Sequence, residues 1–133
     1  MEEVLRDGAA ASYQLLASGV IFARMSGLIT VQVLTHMHVG RQRKAPGFPG
    51  ASVCDFRSAV LAFSAADLDS WLLDQGVALR SVPSAVIVTP PQVELFLEHA
   101  ASVAASGINR QVFLAAAPAM RWAEAHAARR RST

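Results

Sequence analysis

From about residue 20 onward the chain repeats one pattern, roughly every thirty residues: a brief aliphatic run, a turn, then apolar residues at helical spacing. The aliphatic runs fall at residues 20–25, 52–56, 85–88 and 111–114. Strands and helices alternating at this distance have few ways to pack, because a strand–helix–strand crossover between parallel neighbours is almost always right-handed. A further run at residues 13–16 precedes the first of these across Ala17-Ser18-Gly19, which reads as a tight antiparallel hairpin. The expected fold is therefore α/β: a mainly parallel five-stranded sheet with an N-terminal β-hairpin and four helices.

Local signals mark the helix ends. Ile29, Val33, Leu34 and Met37 share a helical face, Thr30 stands where a cap is needed, and the helix is expected to reach about Arg43. Lys44-Ala45-Pro46-Gly47-Phe48-Pro49-Gly50 cannot continue it, since its prolines lack amide donors and its glycines favour turns. Ser64-Ala65-Ala66-Asp67 has the form of a capping box, opening a helix that buries Leu68, Trp71 and Leu72 and stops at a left-handed Gly76. Thr89, Pro90 and Gln92 mark the next start, and that helix buries Val93, Phe96 and Leu97 before ending at Gly107. Pro118 opens the last helix, with Met120, Trp122 and Ala123 on its apolar side. One domain is expected over residues 1–133, ordered from about 12 to 127, with a basic tail at 128–133.

Composition excludes several classes. With 133 residues, 53% hydrophobic and 17% charged, the chain can bury a core and is the reverse of a disordered sequence. The net charge of +2 rests on Arg129, Arg130 and Arg131, so no basic stripe is left on the body for nucleic acid. The one cysteine, Cys54, rules out an internal disulfide or a CxxC zinc site and suits a reducing, cytoplasmic setting. Acidic residues near Met1 do not match a signal peptide. The apolar stretch at 20–37 is broken by Arg24, Ser26, Gly27 and Gln32, so no integral membrane segment is expected.

Candidate chemistry is sparse. Asp55, Arg57 and Ser58 follow one strand and Thr89 follows another, at the strand ends where open parallel sheets bind ligands. These four are the candidate ligand-binding residues, against the alternative that Asp55 and Arg57 pair with each other or with loop amides. Ser64 is either a plain helix cap or a phosphorylation site, because a helix N-terminus favours an anion. Cys54 reads as a small buried hydrophobe rather than a nucleophile. His36 and His38 are two apart on a helix and cannot share an ion, while His99 and His126 are isolated and read as surface or half-buried. No metal, cofactor or phosphate loop is expected: Gly47 and Gly50 lack the lysine and hydroxyl that a phosphate loop uses. His38, Arg41, Arg43 and Lys44 read as a solvated basic helix end, and Trp71 and Trp122 as core.

Three pieces of the chain, in order, resemble the SpoIIAA-like branch of the STAS superfamily. They are Val20-Ile21-Phe22-Ala23-Arg24-Met25-Ser26-Gly27 leading to Thr30, then Val53-Cys54-Asp55-Phe56-Arg57 followed by Ser64, then Ala85-Val86-Ile87-Val88 with Val112-Phe113 and Ala119-Met120-Arg121-Trp122. The resemblance implies a non-enzymatic regulatory or sensory interaction domain that acts by docking onto a protein partner or by binding a small or lipid-like ligand. A carrier domain for such a ligand is the alternative and an enzyme using Cys54 or Ser64 the outside reading, while the apolar helix faces and sparse surface charge are compatible with a homodimer. Anti-sigma-factor antagonists of this superfamily carry a phosphorylatable serine in an Asp-Ser-Ser-Gly type motif. Here the equivalent stretch reads Ala62-Phe63-Ser64-Ala65-Ala66-Asp67, lacking both the preceding acid and the glycine.

Overall fold

The computed structural model describes residues 2–4, 8–44, 47 and 49–131. The elements run in the order β1 (Glu2–Val4), β2 (Ala10–Leu15), β3 (Val20–Ile29), α1 (Val31–Lys44), β4 (Ala51–Leu61), α2 (Ala65–Leu73), α3 (Val77–Arg80), β5 (Ser84–Ile87), α4 (Pro90–Ala104), β6 (Arg110–Phe113) and α5 (Ala116–Arg131). The strands form one sheet in sequence order, β1 to β6. β1, β2 and β3 pair antiparallel, and β3 through β6 pair parallel. The five expected strands are present, joined by the short edge strand β1, and the single turn of α3 adds to the four expected helices. The sheet is thus mixed, with a parallel block fed by the hairpin.

Strand alternation separates two cores. On one face Ala23, Met25, Phe56, Val86 and Val88 meet Val33 and Leu34 of α1, Leu68 of α2 and Phe96 of α4. On the other, Val20, Ala51, Val53, Ala85 and Ile87 meet α5 through Ala119, Ala123 and Ala127. Those three alanines, four residues apart and fully buried, leave no side-chain bulk between helix and sheet. Met25, Ile29, Leu34 and Ile87 are also fully buried, each contributing roughly 1.5–3 kcal/mol by its removal from water. Consecutive right-handed crossovers to the same side of the growing sheet account for α1, α2 and α4 sharing a face.

Local chemistry matches most of the expected boundaries. Thr30 Oγ1 accepts the Val33 amide at 3.2 Å, Ser64 and Asp67 form the reciprocal capping box, and Pro90 follows the Thr89 cap. Gly107 has φ +76, the left-handed geometry expected after α4. Gly76 differs: its φ is −65 and it caps α3, while α2 ends at Asp74 in right-handed geometry, because a new helical turn starts there at once. The sheet also begins earlier than residue 12, since β1 pairs with β2 from Glu2↔Ser12 to Val4↔Ala10. At the other end α5 continues through Arg131, so the basic residues expected in a tail are helical, and the Arg130 guanidinium donates to the Ser81 carbonyl. Of the expected loop at 44–50, residues 45, 46 and 48 lie outside the described residues, as do 132 and 133 of the tail.

Candidate ligand-binding cavity

Of the four residues read from the sequence as a ligand site, Asp55, Arg57 and Ser58 lie at a bulge between β3 and β4, and Thr89 caps α4. Arg24 pairs with Asp55 and Ser26 with Ser58, so Met25 faces both Phe56 and Arg57. The extra residue frees an amide, and the Asp55 carboxylate takes it: Oδ1 accepts the Arg57 backbone N–H at 3.0 Å. The same carboxylate accepts Arg57 Nε at 3.0 Å and Nη2 at 2.8 Å, with Arg24 at 3.7 Å. Burial alone would raise the Asp55 carboxyl, but the hydrogen bonds and charge of Arg57, helped by Arg24, hold it below its ordinary value. Asp55 is 3% exposed and its acceptors are occupied, so it works as a clasp on the bulge. Ser58 is exposed. Thr89 gives its amide to Gln92 Oε1, and the Gln92 amide group donates on to the Phe56 and Ala59 carbonyls, tying the start of α4 to the bulged strand.

Ser64 is exposed and its Oγ accepts the Asp67 amide at 3.1 Å, while Asp67 Oδ2 accepts the Ser64 amide at 3.0 Å. A phosphate on this oxygen would face the Asp67 carboxylate, a like-charge contact that the cap geometry does not relieve.

Polar groups come together elsewhere, under the helices. Parallel register aligns Ile21, Ser52, Ser84 and Arg110 across four strands, and Ala23, Cys54, Val86 and Val112 in the next row. Both rows face α1, α2 and α4, where they floor a cavity of about 120 Å³. Leu34 and Met37 of α1, Leu68 and Trp71 of α2, and Phe96 of α4 form its apolar walls. None of Asp55, Arg57, Ser58 and Thr89 lines it, because Asp55 is one residue out of phase with Cys54 and points to the opposite face.

The cavity's polar end is rich in donors. The Ser52 and Ser84 hydroxyls hydrogen-bond to each other across β4 and β5. Beside them Arg110 is half-buried, its Nη1 donating to the Val82 and Asn109 carbonyls at 3.0 and 3.2 Å. Burial lowers its pKa to about 10, which leaves it charged at neutral pH. Arg41, read from the sequence as part of a solvated helix end, is instead buried at 8% exposure and lines the cavity, its Nη2 3.1 Å from His38 Nδ1. α1 turns that residue inward because it lies seven positions from the buried Leu34, two helical turns on.

Two further groups face the same space. His99 is 3% exposed, against the expectation of a surface or half-buried ring, and its Nδ1 lies 2.5 Å from Asp69 Oδ1. Burial depresses its pKa despite the Asp69 carboxylate, so the ring is neutral, with Nδ1–H donated to Asp69 and Nε2 left as an acceptor. Burial pushes the Cys54 thiol up, and the cations of Arg110 and Arg41 only partly offset this, so the sulfur stays protonated and poorly nucleophilic. Trp71 holds its place on the wall through Nε1, which donates to Thr35 Oγ1 at 3.0 Å. Among the described residues no cluster of three His, Cys, Asp or Glu is placed to hold a metal ion. No helix there is long and apolar enough to cross a membrane.

No family model and no curated protein matches the chain. Among solved structures it is similar to an uncharacterized protein of the DUF3478 family, with a SpoIIAA-like fold, from Shewanella loihica PV-4. The likeness has a TM-score of 0.58 at 14% identity and covers 86% of this chain and 93% of that one. The chain therefore has a SpoIIAA-like fold, as the ordered sequence pieces imply.

Proposed function

We propose that this chain is a non-catalytic binding domain of regulatory or sensory type that holds a small, largely apolar molecule in the cavity between its sheet and helices α1, α2 and α4. One observation carries the reading: a cavity of about 120 Å³ with apolar walls and a row of polar groups aligned by strand register. Ligand sites are commonly concave and mostly apolar, with a few polar groups that fix orientation. The protonated Cys54 thiol and the Asp69-bonded His99 favour binding over nucleophilic chemistry. A protein partner or a second copy of the chain enters this reading through the fold likeness alone.

Native mass spectrometry of the gently purified full chain tests it. The expected spectrum shows one small-molecule increment per chain. Ala23→Leu, which adds bulk inside the cavity, removes the increment. A bare chain in the wild type, or an increment unchanged by Ala23→Leu, contradicts the reading.

A further inference from the structure

Cations enter the lining of the cavity. Arg41 and Arg110 both line it, and both act electrostatically on the Cys54 thiol. Among the described residues no aspartate or glutamate lines it. Asp69 is engaged by His99, and Asp55 lies on the other face of the sheet.

Arg110 is the sharper of the two cations. A guanidinium has five N–H donors, and here Nη1 serves two backbone carbonyls, which are neutral acceptors. No carboxylate among the described residues comes within ion-pair distance of it. A cation withdrawn from water without a counter-charge is costly, and the cost is relieved when an anion enters and takes the remaining donors. Ser84, next to Arg110 across β5 and β6, and its hydrogen-bonded partner Ser52 set two hydroxyls in the same row.

We propose that the ligand is a short-chain monocarboxylate, its carboxylate held by Arg110 beside the Ser52–Ser84 pair and its alkyl body lying toward Met37, Trp71 and Phe96. The size follows from volume. An engineered apolar cavity of about 150 Å³ accepts benzene, so about 120 Å³ suits a chain of roughly four to six carbons. The Arg110 guanidinium in the lining disfavours an ammonium or a metal ion, and about 120 Å³ is too small to enclose a nucleotide. The inference rests on the cavity being the binding site, as proposed above, and adds the charge of the ligand.

Isothermal titration calorimetry of the full chain with valerate, 1-pentanol and pentylamine separates the two claims. Valerate is expected to bind and pentylamine not to. Arg110→Met should weaken valerate roughly 10- to 100-fold, the worth of a charge-assisted hydrogen bond, while 1-pentanol changes by no more than about twofold. Arg110→Lys, which keeps the charge but loses the fork, should recover part of the valerate affinity. Valerate binding that ignores Arg110→Met, or pentylamine binding as well as valerate, overturns the anion assignment and leaves the cavity reading standing if 1-pentanol binds. Absence of heat with both valerate and 1-pentanol overturns both. Should Arg110→Met fail to show native circular dichroism, Arg110→Lys and the valerate–pentylamine contrast in the wild type decide the matter.

Discussion

Replacing Asp55 tests whether the most conspicuous polar cluster in the sequence is a clasp on the sheet. In Asp55→Ala the Arg57 amide loses its acceptor in a part-buried position, which costs roughly 1–2 kcal/mol. The two guanidinium bonds are charge-assisted, but the Arg57 side chain is 40% exposed, so solvent screening limits them to about 1 kcal/mol together. The expected loss is about 2–3 kcal/mol, and Asp55→Asn, which keeps an oxygen for the amide, should lose only about 1 kcal/mol. Urea denaturation at pH 7, followed by tryptophan fluorescence, should place the midpoints in the order wild type, Asn, Ala with an unchanged slope. The pH dependence has a definite sign. The folded carboxyl lies below its ordinary value of 3.8, so its contribution is present above that pH and is lost as pH falls through the folded value. The gap between wild type and Asp55→Asn should therefore close in strong acid. An Asp55→Ala midpoint equal to wild type at pH 7 would show that the carboxylate carries no structural load and free it for a ligand.

Three more outcomes follow from the geometry. His99, His38 and His126 are all held below 6.5, chiefly by burial, so the unfolded chain takes up protons first and stability should fall as pH drops below about 6.5; equal urea midpoints at pH 7.5 and 5.5 would contradict this. Gly27 has φ +81, and a Cβ there would sit 2.8 Å from the Gly8 carbonyl oxygen and 3.0 Å from Ala9 Cα, so Gly27→Ala should cost about 2–4 kcal/mol in the same assay, from left-handed strain plus a backbone clash. Gln92→Glu sets a carboxylate against the Phe56 and Ala59 carbonyls in place of an amide donor, and thermal unfolding at pH 7 should show it less stable than Gln92→Ala; the reverse order would mean that the tie between α4 and β4 is unimportant.

The fold was legible because its signals are local or periodic. Thr30, Ser64 and Thr89 each cap the helix that their neighbours suggest, and the aliphatic runs at 20–25, 52–56, 85–88 and 111–114 all lie within or overlap strands of the same sheet. The bulge was not, since nothing in Asp55-Phe56-Arg57 states that two residues there face Met25 alone. The cavity was missed for a related reason. Ser52, Ser84 and Arg110 are separated by about thirty residues each and become neighbours only through strand register. A signal did exist: each is a polar residue at the start of an apolar strand in successive strand–helix units, and equivalent positions in such units form one row of a parallel sheet. Arg41 was misplaced because position near a helix end says nothing of which face it lies on, and His99 because its partner Asp69 is on another helix.

The proposed function requires that this protein take its ligand in the space beneath α1, α2 and α4. Methyl-labelled NMR during a valerate titration reads that directly. Shifts should concentrate at Leu34, Leu72, Val86 and Val112, which line the cavity, and leave the exposed Leu15, Val60 and Leu114 unmoved. Movement confined to those surface methyls, with the cavity set silent, would contradict it.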